Sequence, residues 1–205
     1  MIKRSFLFPV LLAVALTGCS DSPKTEAAKT AAEKPLEPLT GRQAFQQMYI
    51  QARTWAPDAQ PLQIKSLPLE SVKAPAGQSG AWQVVFVSPG RSRAKTFTWS
   101  AIEAEGNLHK GVFGGPDESW SQGAQEKPFM VQAIKTDTDA AYQTALKKSE
   151  EFLKKNPNVP VNFMAESTNR FPDPAWRVFW GETVGTSKYS VFVDASTGEY
   201  LSRVQ

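Results

Sequence analysis

Two stretches of this chain follow the same order of elements, an amphipathic helix and then four strand-like runs. Residues 41–55 carry apolar side chains at the three- and four-residue spacing of one helical face, and Thr40 precedes them as a candidate N-cap. Residues 138–155 repeat this pattern after Asp137 or Thr138. Because an amphipathic helix must cover its apolar face, this order predicts an α+β fold with each helix packed on an antiparallel β-sheet.

The strand-like runs after the first helix are 62–69, 82–88, 95–103 and 107–112, and those after the second are 159–166, 175–181, 188–194 and 199–204. Glu105-Gly106-Asn107 and Ser196-Thr197-Gly198 are predicted turns before the last run of each set. Ala81-Trp82-Gln83-Val84 aligns with Ala175-Trp176-Arg177-Val178. We therefore expect an internal repeat, with a first helix-plus-sheet unit at 40–127 and a second at 128–205.

The N-terminus has the pattern of an export signal. Lys3 and Arg4 precede the apolar run 6–15, which is too short for the roughly 20 residues of a membrane-spanning helix. Leu16-Thr17-Gly18-Cys19 then resembles the lipobox of bacterial lipoproteins, in which the Cys becomes the lipid-modified N-terminus. The resemblance implies a signal peptide at 1–18 and acyl chains, palmitate among them, on Cys19. An ordinary signal peptide with an incidental Cys is the alternative.

Residues 19–39 separate the predicted signal from the folded part. They are rich in Ala, Lys, Glu and Pro and almost lack large apolar side chains, so they predict a flexible tether. Ser20 follows the Cys, where enteric-type bacteria place Asp to retain a lipoprotein in the inner membrane. The expected location is the cell envelope, at the outer membrane and facing the periplasm if the organism has two membranes.

The second stretch carries the motifs of a known family. Trp176-Arg177-Val178 is followed by Tyr189-Ser190-Val191-Phe192-Val193-Asp194-Ala195-Ser196-Thr197-Gly198. Over residues 137–204 this resembles the PepSY domain, which reads approximately Trp-x-Val and then Tyr-x-Val-x-Val-Asp-Ala-x-Thr-Gly. The first stretch matches only through 81–88 and has Glu103-Ala104-Glu105-Gly106 where the family has Asp-Ala-x-Thr-Gly.

This resemblance implies a PepSY-like tandem of helix-plus-sheet units in a secreted or membrane-attached accessory protein. Some members of the family lie in propeptides or regulators of peptidases and wall hydrolases, and the family contributes no catalytic residues. Asp194 and Thr197 have a structural explanation, since both side chains can bond the backbone of a tight turn that Gly198 permits.

Composition removes several classes of function. The chain has one Cys and one His, which excludes an internal disulfide and a zinc site of Cys and His, and leaves only His109 for a nucleophile-base pair. The net charge is +3, and loss of Lys3 and Arg4 with the signal lowers it by two to +1. We expect no enzyme, no cofactor, no metal and no nucleic-acid partner. The glycine-rich run 111–116 lacks a phosphate-binding pattern and is interpreted as a loop.

Three residues are candidates for contact with a partner. Trp120 and Phe171 fall in predicted loops, where a large aromatic side chain is harder to bury. Arg177 alternates with Trp176 and Val178 on a strand, and the face it shares with Phe179 is a candidate for core, inter-repeat contact or ligand surface. The expected function is a non-catalytic envelope lipoprotein that binds or modulates another envelope protein, such as a peptidase or wall hydrolase. The alternative is a small-molecule or peptide binder using a cleft between the repeats.

Overall fold

A computed structural model describes residues 34–123 and 126–204 of the chain. The predicted signal peptide, Cys19 and the tether up to residue 33 lie outside the described residues. The described part is α+β, with two helices and one large antiparallel sheet. That fold class was predicted from the sequence and is confirmed.

Both helices have the bounds that periodicity predicts. Helix α1 is Gly41–Trp55 and helix α2 is Thr138–Lys155. Thr40 caps α1 in a capping box, its side chain accepting from the Gln43 backbone while the Gln43 side chain accepts from the Thr40 backbone. Asp137 caps α2. Both caps are local features, and short-range sequence signals predict such features well.

Ten strands accompany the helices: β1 (Leu39–Thr40), β2 (Gln60–Leu67), β3 (Gln78–Ser79), β4 (Ala81–Ser88), β5 (Arg93–Ser100), β6 (Gly111–Ser119), β7 (Val161–Glu166), β8 (Ala175–Trp180), β9 (Tyr189–Asp194) and β10 (Tyr200–Val204). Eight of them form one sheet in the order β10-β9-β8-β7-β2-β4-β5-β6, and every neighbouring pair is antiparallel. The short strands β1 and β3 pair with each other.

The strand that follows each helix lies at the centre of the sheet. β2 pairs with β7, and Ile64 lies opposite Ala165 in the register of that pair. Strands β4, β5 and β6 extend the sheet beyond β2 on one side. Strands β8, β9 and β10 extend it beyond β7 on the other. One sheet therefore continues from the first stretch of the sequence into the second without a gap.

The N-termini of the two helices meet. Asp137 accepts hydrogen bonds from the Arg42 and Thr138 backbones through Oδ1, at 2.9 and 2.7 Å, and from the Thr40 hydroxyl through Oδ2, at 2.7 Å. The Gly41 N–H donates to Thr138 Oγ1 at 2.8 Å. A single carboxylate thus satisfies backbone N–H groups that both helices leave without an intrahelical partner.

The core lies between the helices and one face of the sheet, because strand side chains alternate between faces. The inward side chains include most of the largest buried residues of the sheet: Trp82, Phe86, Trp99, Phe163, Trp176 and Trp180. Trp82 donates its indole N–H to the Leu39 carbonyl and Trp176 donates its own to the Thr136 carbonyl, each at 2.9 Å. Each acceptor immediately precedes the cap of a helix.

The last strand of the first set is not where the sequence placed it. The prediction of a strand at 107–112 and a loop over 111–116 is wrong, since β6 begins at Gly111 and continues to Ser119. Gly114 lies opposite Phe97, and a Cβ on it would come within 3.0 Å of the Phe97 ring. Gly114 therefore leaves room for the Phe97 ring, and without a side chain of its own it interrupts the apolar alternation that predicts a strand. The predicted turn at 105–107 is confirmed.

The folded part extends into the segment that the sequence assigned to the tether. Leu36 donates its N–H to the Ala101 carbonyl, and Leu39 lies in β1 and packs against the core. Residues from about Leu36, which the sequence assigned to the predicted tether, therefore belong to the fold.

Candidate functional site

The face of the eight-stranded sheet opposite the helices, here called the open face, carries the candidate site. On β8, Trp176, Val178 and Trp180 point into the core, so Arg177 and Phe179 point the other way. Arg177 lies opposite Met164 on β7 and opposite Phe192 on β9. The sequence left three roles open for the face of β8 that carries Arg177. Arg177 points away from the core and is half-buried, so the core role is excluded for this residue.

Phe192 contacts three side chains on this face. Its ring lies 5.0 Å from the ring of Phe171, centroid to centroid. The guanidinium carbon of Arg177 lies 5.5 Å from the Phe192 centroid, and that of Arg170 lies 5.4 Å from it. The Phe192 ring thus contacts two cations and a second aromatic ring. Cation–π attraction operates at the distances of both guanidinium groups.

The loop between β7 and β8 places Phe171 over the sheet. The Thr168 N–H donates to the Phe171 carbonyl at 2.8 Å, and the Phe171 N–H donates to the Thr168 hydroxyl at 3.2 Å. Arg170 donates to the Ser202 hydroxyl on β10 at 3.0 Å and its guanidinium lies 5.1 Å from the Phe171 ring. The loop folds back on itself because Thr168 closes the turn, and this holds the side chains of Arg170 and Phe171 beside Phe192.

Two serines hold the Arg177 guanidinium. Nε donates to Ser190 Oγ at 3.0 Å, and Nη2 lies 3.4 Å from Ser187 Oγ. Burial lowers the pKa of Arg177 from its ordinary value, and the nearby Glu166 opposes that shift. The guanidinium remains charged, because the ordinary arginine pKa lies far above neutral pH. Its fork therefore has a fixed direction and further N–H groups for a ligand.

Glu166 lies on the same face at the end of β7. Burial raises the pKa of its carboxyl, while a hydrogen bond from Gln63 Nε2 at 3.3 Å acts in the opposite direction. The charge of Glu126 also raises this pKa, and that of Arg177 lowers it. A desolvated carboxylate beside a cation is a common feature of binding sites, and it makes the local charge sensitive to pH.

These side chains line a shallow cavity of about 230 Å³, here called the Phe192 pocket. Its lining residues are Glu166, Thr168, Asn169, Arg170, Phe171, Ala175, Arg177 and Phe192. The pocket brings together two of the three predicted contact residues, Phe171 and Arg177. Small-molecule sites are usually about 300–1,000 Å³, so this pocket has the size for one side chain of a larger partner.

Trp120, the third predicted contact residue, lies elsewhere. Its ring packs on a small cluster formed by Leu62, Val87 and Ala94, and the Trp120 backbone N–H donates to the Ser92 carbonyl at 3.0 Å. Trp120 is partly buried and covers apolar side chains of β2, β4 and β5. The structure therefore gives Trp120 a packing role and does not bring it to Phe171 and Arg177.

Sequence reasoning missed Phe192, Glu166 and Arg170. Phe192 lies within the PepSY-like motif, and its place between Val191 and Val193 was a signal, because their alternation puts Phe192 on the face away from the helix. Glu166 and Arg170 had no local signal, since the partners that define their setting come from other strands.

The conspicuous residues of the PepSY-like motif form a turn. Asp194 Oδ1 accepts from the Ser196 and Thr197 backbones at 2.7 and 2.8 Å, and Gly198 has a φ of 78°. That geometry favours glycine. The structural explanation predicted for Asp194 is confirmed.

Two further observations concern only residues 34–123 and 126–204. Within them, no three or more His, Cys, Asp and Glu side chains are grouped so that they could hold a metal ion. No helix of this part of the chain combines the length and the apolar character needed to cross a membrane.

No protein-family model matches the chain, and no curated protein matches it. Among solved structures, it is similar to the crystal structure of a candidate lipoprotein from Clostridium difficile 630. The two chains are 13% identical, with a TM-score of 0.49, and the similarity covers 84% of this chain and 99% of that one.

Proposed function

We propose that this protein is an envelope lipoprotein, attached to a membrane through Cys19, whose non-catalytic domain binds or modulates another envelope protein. The lipid anchor rests on the lipobox-like Leu16-Thr17-Gly18-Cys19 and the short apolar run before it. In an organism with two membranes, Ser20 favours the outer membrane, with the domain in the periplasm. The contact surface is the open face at the Phe192 pocket, and the partner class is a peptidase or wall hydrolase.

The observation that carries the proposal is the contact of Phe171 with Phe192 beside the guanidinium groups of Arg170 and Arg177. Both rings are partly exposed and Arg170 is exposed, on a face that neither helix covers. Aromatic and arginine side chains are enriched at the residues that contribute most to protein–protein affinity. A rigid sheet that presents them in a fixed arrangement suits recognition of a partner better than catalysis.

A tandem of PepSY-like units supports an accessory role. The indole N–H groups of Trp82 and Trp176 donate to the residue just before the cap of α1 and of α2, respectively. Ala141-Tyr142 follows Ala44-Phe45 by 97 positions, and the cap Asp137 follows the cap Thr40 by the same number. Such correspondence is what duplication of one unit would leave. We infer two units that share one sheet.

The alternative, a small-molecule or peptide binder with a cleft between the units, finds less support. The pairing of β2 with β7 closes the sheet between them. A hollow of about 320 Å³ does lie between α1 and the segment before α2, lined by Arg42, Phe45 and Ile134 among others. It is at the lower end of the usual range for small-molecule sites.

The test is a crosslinked pulldown from membranes with the intact protein, Phe171→Ala and Phe113→Ala. Phe113 is a matched control, because it is an exposed phenylalanine on β6, outside the Phe192 pocket. A specific envelope protein recovered with the intact protein and with Phe113→Ala, but lost with Phe171→Ala, is the expected result. Equal recovery with all three would refute the assignment of the surface, and a small-molecule thermal shift without any protein partner would favour the alternative.

A further inference from the structure

We propose that the Phe192 pocket takes the carboxylate of an acidic side chain in an extended peptide segment of the partner. This inference rests on the proposed function and specifies the chemistry that the partner presents. It follows from the charges of the pocket, from the geometry of its cations and from its size.

The two guanidinium groups of the pocket have spare donors. The ion pairs found among residues 34–123 and 126–204 do not include Arg170 or Arg177, and both side chains bond to serine hydroxyls instead. A guanidinium has five N–H donors in a planar fork, and the three serine hydroxyls do not neutralise the two cations. A carboxylate is the group that such a fork binds with two parallel hydrogen bonds.

The two cations share one aromatic neighbour, and that is where we place the bound carboxylate. Both guanidinium carbons lie 5.4–5.5 Å from the centroid of one ring, Phe192, so both cations lie beside the same aromatic side chain. A carboxylate near that ring can receive hydrogen bonds from both, while the methylene groups of an acidic side chain contact Phe192 and Phe171. The apolar stem and anionic end of Glu or Asp match this combination of surfaces.

The size of the cavity favours a side chain of a polymer over a free metabolite. About 230 Å³ holds one side chain, and the cavity is open to solvent on the sheet face. A free small acid would bury little area there, so most of its binding energy would have to come from one exposed and one half-buried arginine. A peptide laid across the strands adds contacts on both sides of the acidic residue.

The negative charge of Glu166 repels the peptide carboxylate, so the ionisation of Glu166 makes peptide binding depend on pH. The charged or titratable groups around it are Glu126 on the linker before α2, Arg177 on β8, Arg170 on the β7–β8 loop and Lys65 on β2, which lies next to Met164. With Glu166 ionised, the two arginines exceed the pocket carboxylate by one charge. With Glu166 protonated they exceed it by two, so mildly acidic pH should strengthen binding of the peptide carboxylate.

The experiment is an NMR titration of the protein with two blocked heptapeptides that differ only in a central glutamate or glutamine. The glutamate peptide should shift the arginine Nε–H signals of Arg170 and Arg177 and bind about tenfold more tightly than the glutamine peptide. Arg170→Gln should remove most of that difference. Arg177→Lys keeps the charge beside Ser187 and Ser190 but loses the planar fork, so it should reduce the difference between the peptides.

Arg91→Gln is the matched control, because Arg91 is an exposed arginine outside the pocket that pairs with Asp117. It should leave the difference between the peptides unchanged. Equal binding of both peptides, or an equal loss in Arg91→Gln, would overturn the inference. Inorganic phosphate that competes as strongly as the glutamate peptide would overturn it as well and indicate a site for phosphate groups.

The pulldown tests the proposed function, and the titration tests the acidic-segment inference, so the failure of one can be told from the failure of the other. If an envelope protein is recovered in a Phe171-dependent way but neither peptide is preferred, the proposed function stands and the acidic-segment inference is wrong. If no partner is recovered, the proposed function fails whatever the peptides do.

Discussion

The carboxylate of Asp137 should couple the two helices, and Asp137→Ala should cost about 1.5–3 kcal/mol of unfolding free energy. Loss of the α2 cap accounts for about 0.5–2 kcal/mol. Loss of the Thr40 hydroxyl bond adds about 1 kcal/mol, since Thr40 is buried and its hydroxyl loses a charged acceptor. The bond from the exposed Arg42 backbone adds little, because water can replace the carboxylate there.

The assay is urea unfolding followed by tryptophan fluorescence, which reports on the buried Trp82, Trp99, Trp176 and Trp180. A double-mutant cycle of Asp137→Ala with Thr40→Ala isolates the bond between the helices and should give a coupling free energy of about 1 kcal/mol. Asp139→Ala is the control, since Asp139 lies in the same helical turn and bonds only the adjacent Ala140 backbone. It should cost less than about 1 kcal/mol.

Two results would refute this reasoning. A coupling free energy near zero would mean that the hydroxyl and the carboxylate do not stabilise each other. A loss no greater than that of Asp139→Ala would mean that Asp137 acts only as an ordinary acidic residue near a helix N-terminus.

Three further changes test other parts of the structure. Gly41→Ala should lower the unfolding free energy by about 1–3 kcal/mol, because the added Cβ would lie 2.8 Å from Thr138 Cγ2, whereas Gly123→Ala, with open space around it, should not. Glu166→Gln should stabilise the protein at pH 7. Since the folded pKa of Glu166 is raised above its ordinary 4.5, wild-type stability falls as pH rises from about 4.5 through that pKa, and the variant's advantage in urea unfolding should vanish below pH 4. Trp120→Ala should cost about 1–3 kcal/mol by uncovering its cluster, yet leave partner recovery intact, and a lost partner would contradict its packing role.

The comparison of β6 with α1 and α2 shows which elements short-range patterns can predict. Each helix has one apolar face, a capping residue and a stop signal within about twenty residues, so its bounds follow from neighbouring side chains. The strand β6 has glycines at 111, 114 and 115 and a proline at 116, which favour a loop in isolation. Pairing with β5 makes it a strand, and that pairing depends on residues far back in the sequence.

The candidate site also combines residues that short-range patterns can predict with residues that they cannot. Phe171 and Arg177 could be selected from the sequence, because one is an aromatic residue in a loop and the other a cation on a strand with an apolar opposite face. Trp120 was selected by the same loop argument, yet it packs on Leu62, Val87 and Ala94. Burial of a loop aromatic depends on what lies beneath it, which local patterns do not contain.

The sequence by itself determined both helices, their caps, the turn at Asp194 and the α+β class, because hydrogen bonds and side-chain periodicity over a few residues decide them. Only the tertiary structure decided that β2 pairs with β7, that one carboxylate joins both helix N-termini, and that Phe192 lies beside both Arg170 and Arg177. Those contacts join residues from different strands and loops, up to about a hundred positions apart. Their energies come from burial and pairing that exist only once the sheet has assembled.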